Sequence, residues 1–252
     1  MKNNLKFFLK NVNMHNILSI DVGLLNLAFC SVSIDTDNDH PISINLWEII
    51  NTLGTDLQIC SGKLKSGNNC TKSAGYICQD VHYCKSHIPK TTPFKKIKIK
   101  QCKSFTLQEI AVNIVSCIND LYKRHTDLFL SLNKVLIELQ PRVNNKMKFV
   151  SHIIFAKLAE LLLDNPNCTI RFVAAKNKLK NFPGPEFVCD VKSKYSQRKR
   201  ASVYYCKWYL DNCFTEEDKT KWKTFLESNK KEDDLADTFN MCIQEYKLKV
   251  KK

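Results

Sequence analysis

The chain has 252 residues, 44% of them hydrophobic and 25% charged, a balance that excludes disordered, fibrous and membrane-embedded proteins and suits one sizeable core with an insertion. Its 39 basic side chains against 25 acidic ones give a net charge of +14, and a field of that sign attracts polyanions, nucleic acid first among them. No apolar run approaches the roughly 18 to 20 residues that cross a bilayer, and Met1 to Lys10 is broken by lysines too early for a signal peptide. An intracellular, reducing compartment is therefore expected, where the 12 cysteines stay free thiols and any cluster of them points to a metal.

Asn16 to Val22 and Leu27 to Ile34 read as two strands joined by the turn Gly23-Leu24-Leu25-Asn26, with Ile42 to Ile49 as a third. Asp21 closes the first strand just before Gly23, where a carboxylate emerges from an apolar layer at the rim of a sheet. An ordinary turn carboxylate is the competing reading.

From Cys60 to Lys103 the periodicity is lost and Gly, Ser, Asn, Cys and Lys predominate, which predicts an inserted module at 58–103 within a single domain of 1–252. Cys60, Cys70, Cys84 and His87 stand as C-x9-C-x13-C-x2-H, and the last pair has the thiolate-to-imidazole spacing of zinc knuckles. A structural Zn2+ there would supply folding free energy to a stretch with little apolar sequence, with Cys78 and His82 as spare ligands. The alternative is a loop with incidental reduced cysteines. Lys85, Lys90, Lys95, Lys96, Lys98, Lys100 and Lys103 follow without an intervening acid, as a flexible basic arm for phosphate contacts or as a solvated linker.

Phe105 to Tyr122 has apolar residues at helical spacing, opened by Ser104 as cap with Thr106 beside it. Lys134 to Leu139 reads as a buried strand, stopped by Pro141, in which Glu138 interrupts the apolar run Val135-Leu136-Ile137. A charge buried there is costly unless paired or bound to a metal; a structural ion pair is the competing reading. Phe149 to Leu163 is predicted helical, Thr169 to Ala174 a strand, and Tyr195 to Asn212 and Asp233 to Lys247 helices. Asp234 and Asp237, three residues apart, share one face of the last helix, although acids also favour helix N-termini for the dipole alone.

This order of elements predicts an α/β layered domain. Asp21, Glu138, Asp234 and Asp237 together are the hard oxygen ligands that Mg2+ takes, and two such ions roughly 3.5 to 4 Å apart suit phosphodiester cleavage.

Ile20-Asp21-Val22-Gly23, Ile137-Glu138-Leu139-Gln140-Pro141 and Lys230-Lys231-Glu232-Asp233-Asp234-Leu235-Ala236-Asp237, in that order, resemble signatures of the poxvirus Holliday junction resolvases, relatives of the RuvC-like nucleases. Met147-Lys148, Asn177-Lys178-Leu179-Lys180 and Tyr195 through Ala201 extend the resemblance over nearly all the chain outside the insertion, which compact poxvirus enzymes lack. The resemblance implies an RNase H-like mixed five-stranded sheet flanked by helices. It implies a Mg2+-dependent endonuclease that makes paired nicks in four-way or related branched DNA during recombination or replication, at a cytoplasmic replication site if viral.

Carried over residue by residue, it implies that Asp21, Glu138, Asp234 and Asp237 hold two Mg2+, with Asp233 a neighbour. Lys199 matches a basic position that would stabilise charge developing at the phosphate, with Arg198 and Arg200 as substitutes and a basic face touching DNA backbone as the alternative. A homodimer is implied as well; Ile153, Ile154 and Leu158 are candidates for its surface, or else core. Competing functions are a nuclease of other branched DNA or RNA/DNA hybrids, and a noncatalytic zinc-containing DNA-binding scaffold. An actin-like nucleotide-binding enzyme ranks last, for want of glycine-rich phosphate loops.

Overall fold

Branched and aromatic side chains favour pleated backbone, and the first runs rich in them form an antiparallel meander of β1 (Met14–Asp21), β2 (Asn26–Asp35) and β3 (Ile42–Asn51). The computed structural model describes residues 14–35, 41–53, 58–98, 104–141, 143–180 and 182–250. Lys100 and Lys103, and the stretch Met1 to Lys10, lie outside them. Two compact units are formed, one of Met1–Thr52 with Ile110–Lys252, the other of Leu53–Glu109.

The smaller unit contains β4 (Tyr76–Cys78), β5 (Val81–Tyr83) and β6 (Lys95–Lys96), in a sheet of order β5-β4-β6. Gln79 and Asp80, both at positive φ, make the tight turn between β4 and β5. Strands this short leave no periodicity to read. Lys95 and Lys96, expected in a flexible arm, are instead a paired strand of the module.

Beyond it come α1 (Leu107–Arg124), α2 (Thr126–Leu130), β7 (Lys134–Leu139), α3 (Asn145–Leu161), β8 (Thr169–Ala174), α4 (Lys194–Cys213), α5 (Glu216–Ser228) and α6 (Glu232–Val250). The larger unit's sheet runs β3-β2-β1-β7-β8, with β7 parallel to both β1 and β8. Antiparallel on one side and parallel on the other, it is the RNase H-like mixed sheet, and α3 makes the crossover from β7 to β8.

Ile17, Leu18 and Ile20 are all buried, so β1 is covered on both faces. One face packs on α4 and α6 through Ile17, Cys30, Leu136, Leu210 and Phe239. Ser19 Oγ donates to the Thr238 carbonyl at 2.6 Å and Trp47 Nε1 to that of Leu235 at 3.0 Å, pinning α6 across β1 to β3. Ile154 and Leu158 of α3 are fully buried, which settles them as core rather than dimer surface; Ile153 is half-buried.

Two element ends and one whole helix differ from expectation for local reasons. Thr106, not Ser104, caps α1: its hydroxyl accepts from Glu109 N at 3.2 Å while the Glu109 carboxylate accepts from Thr106 N at 2.8 Å, a reciprocal capping box. Asn144 accepts from Met147 N at 3.2 Å and starts α3 a turn earlier than Phe149. Helix α5 was not foreseen, because its charged face masks the pair Trp222 and Leu226; the signal was Thr215 as cap ahead of Glu216, Glu217 and Asp218. Among the described residues no helix is long and apolar enough to cross a membrane.

Candidate active site and zinc centre

The parallel register that sets Ile20 opposite Ile137 carries Asp21 and Glu138, one residue further, side by side at the C-terminal ends of β1 and β7. In α/β sheets this is where ligands bind. Gly23 makes the exit from β1 possible, since a Cβ there would lie 2.2 Å from the Asn26 carbonyl oxygen. The first two turns of α6 bring Asp234 and Asp237 to the same place, and all four carboxylates line one cleft of about 630 Å³ with Gln140, Lys178, Tyr195, Arg198 and Lys199.

Four carboxylates in a partly dry cleft cannot all ionise cheaply. Burial, then a hydrogen bond to Glu138 and its charge, push the Asp21 carboxyl well above its ordinary range. Burial opposes ionisation of Glu138 too, but the proton of Asp21 and the Lys178 ammonium outweigh it and hold that carboxyl low. Asp234 and Asp237 are both raised, chiefly by burial, with Asp233 adding repulsion at Asp234. This is a site short of positive charge, and oxygen donors of this kind fit Mg2+.

Lys178 supplies part of that charge. Its ammonium lies 3.2 Å from Glu138 Oε1 and is also bonded to Asp237 Oδ2, with the side chain 11% exposed. No role was foreseen for it, because Lys176, Lys178 and Lys180 look alike in sequence; only the 3-10 turn Ala175–Asn177 after β8 turns Lys178 inward. Ser202 of α4 was also missed. Its hydroxyl donates to Asp237 Oδ1 and accepts from Asn240 Nδ2 at 3.0 Å, fixing the carboxylate's orientation.

Lys199 is paired to Asp233, stands 4.0 Å from Asp234 Oδ1 and lies over the Tyr195 ring, 5.1 Å from its centroid. Asp233 thus faces Lys199 rather than the cleft. Arg198 is exposed at the cleft wall, whereas Arg200 lines the adjoining depression with Asp233.

In the smaller unit, Cys60 Sγ and Cys84 Sγ lie 3.4 and 3.5 Å from His87 Nδ1, and Cys70 Sγ lies 4.0 Å from Cys84 Sγ. All four ligand atoms fall within 4.8 Å of one another, as tetrahedral Zn2+ with bonds of about 2.0 to 2.3 Å requires. Gly62 leaves room for the imidazole, since a Cβ there would come within 2.5 Å of the His87 ring. Its N–H also donates to Cys60 Sγ at 3.3 Å, which fixes the position of that sulfur. Cys78 and His82, held on β4 and β5, are not among the converging atoms. We predict one zinc ion per intact chain and a loss of zinc affinity exceeding about 100-fold in Cys70→Ser. Metal analysis after dialysis against a graded chelator reads this directly; a variant that keeps its zinc would exclude Cys70 as a ligand.

Residues 17–141 match the family model described as mitochondrial resolvase Ydc2 / RNA splicing MRS1. No curated protein matches the chain. Among solved structures, the yeast mitochondrial Holliday junction resolvase Ydc2 is 15% identical, covering 90% of this chain and 76% of that one, with a TM-score of 0.43. The fowlpox virus resolvase in complex with Holliday junction DNA is 16% identical, covering 92% and 99%, with a TM-score of 0.45. Thermus thermophilus RuvC is 8% identical over 92% and 96%, also at 0.45.

Proposed function

Residues 17–141 match the family model of mitochondrial resolvase Ydc2 and RNA splicing MRS1, and from that likeness we propose that this chain is a metal-dependent endonuclease that resolves four-way DNA junctions. The observation that carries the reading is the convergence of Asp21, Glu138, Asp234 and Asp237 in one cleft. Carboxylates repel phosphate, so a surface that only bound nucleic acid would be worse for having them; with cations between, they become a phosphodiester-cleaving centre.

Magnesium, when bound, activates the attacking water and stabilises the leaving oxygen. The chain's own residues do the rest. Asp21 and Glu138 form the floor on two neighbouring strands, Asp237 is held in place by Ser202, and Lys178 balances the charge between Glu138 and Asp237. Lys199, held near the carboxylates by Asp233 and Asp234, is placed to meet negative charge developing on the scissile phosphate, and Arg198 at the rim to meet the backbone. A homodimer would present two such clefts to opposite strands of a junction, giving paired nicks. The zinc quartet is structural in this reading, because four protein ligands leave no open position. Among the described residues no two cysteines are joined in a disulfide, which leaves the sulfurs of Cys60, Cys70 and Cys84 available to a metal.

The family description also names RNA splicing, which favours a second reading: a protein that binds branched nucleic acid without cutting it. A labelled, immobile four-way junction incubated with the protein and Mg2+ separates the two. Nicks paired across opposite strands support the resolvase; tight binding with the junction left intact favours the binder; faster cutting of an RNA/DNA hybrid would move the activity elsewhere in the fold class.

A further inference from the structure

The sheet of the smaller unit carries, beyond the point where Tyr83 packs on the zinc-ligand cysteines, an exposed aromatic and basic patch. Residues 58–98 include eight lysines and a single acid, Asp80, and all eight lysines are exposed. Cross-strand pairing places Tyr83, Tyr76 and Lys96 in one row. Phe94, two residues before Lys96, meets Tyr76 edge-on with ring centroids 5.5 Å apart.

Phe94 stays 52% exposed in spite of that contact. The unit's buried cluster consists of Cys60, Cys70 and Cys84 with Tyr83 packed on it, so Phe94 is not needed to close it. The segment is nevertheless held, since Ile97 N donates to the Gly75 carbonyl at 2.8 Å. An aromatic ring kept in water on a fixed strand, next to exposed lysines that form no ion pair among the described residues, is the arrangement on which proteins stack unpaired bases while tracking the phosphates beside them.

We propose that this face binds single-stranded DNA, with Phe94 stacking on an unpaired base and Lys96 and Lys98 neutralising the adjacent phosphates. The inference deepens the junction-resolving reading by giving the insertion a ligand: the unpaired nucleotides of an opened or flapped branch point. It rests on that reading only for the choice of DNA.

The experiment uses the full zinc-loaded chain and fluorescence anisotropy with a labelled oligothymidylate and a labelled four-way junction. Phe94→Ala is expected to weaken oligothymidylate binding about tenfold, with Phe94→Trp restoring it and showing emission quenched by the oligonucleotide. Lys96→Glu with Lys98→Glu is expected to lower the slope of log affinity against log salt by roughly 1.4, about 0.7 per lost phosphate contact. Zinc content checks that each variant keeps its module. Unchanged affinity and slope in zinc-loaded variants overturn the inference, as does a Phe94→Trp emission that the oligonucleotide leaves unaltered. Junction binding without cleavage by the intact chain sinks the nuclease reading and leaves this one standing; cleavage together with indifferent Phe94 variants does the reverse.

Discussion

Asp21→Asn and Glu138→Gln are each expected to reduce junction cleavage by on the order of 10³-fold or more, while junction affinity stays within a few-fold of the intact protein. Both substitutions keep shape and hydrogen bonding but remove an anionic donor from the floor of the cleft. Phosphate binding relies on lysines and arginines, so it survives. Stability separates this outcome from misfolding. The Asp21 carboxyl is already raised by burial and by Glu138, so a neutral amide relieves repulsion, and Asp21→Asn should melt at the same temperature or a few degrees higher in EDTA. The raised carboxyl also fixes a sign for pH: a proton competes with the cation for Asp21, so Mg2+ affinity tightens as pH rises and weakens as pH falls. Calorimetric titrations in buffers of different ionisation enthalpy would register the released proton. Residual cleavage equal to that of the intact protein in both variants would remove this cleft from the mechanism.

Lys178→Met should destabilise the metal-free protein by about 3 to 5 kcal/mol, the usual cost of deleting one partner of a buried ion pair. The Glu138 and Asp237 side chains are only 14% and 18% exposed, and without the ammonium they face each other across a poorly solvated gap. For a chain of this size that cost corresponds to a fall in melting temperature of about 10 °C. Mg2+ should recover most of it, because the cation neutralises the same oxygens. The intact protein, which carries its own cation, should gain less from Mg2+. Melting curves of both proteins in EDTA and in Mg2+ test the four-way comparison; a variant as stable as the intact chain in EDTA would show that Lys178 is not what holds the acids together.

The larger sheet was legible because β1, β2 and β7 each carry a buried apolar run, and Asp21 and Glu138 stood out as charges at the ends of such runs. Asp234 and Asp237 were legible from helical spacing, and the zinc quartet from one close Cys–His pair and two partners at longer range. What escaped has a common cause. Lys178 differs from Lys176 and Lys180 only in the direction a 3-10 turn gives it, and Ser202 matters only because α4 lies against α6. Composition and period carry no information about such directions. The strands β4 to β6 are too short for alternation to register, and the acids and lysines of α5 obscure its buried Trp222.

The docking of α6 over β1 joins residues more than two hundred positions apart, as in the Ser19-to-Thr238 hydrogen bond. Contacts so remote in sequence are slow to form, since a long loop must be closed before any of them is made. A fragment ending short of Glu232 therefore leaves Ile17, Cys30 and Leu136 uncovered and lacks Asp234 and Asp237. On the ribosome the apolar floor of the sheet waits for its cover until α6 has been made, open to chaperones and to aggregation. The same delay keeps the cleft itself unbuilt until then, because its four carboxylates come together only when α6 docks.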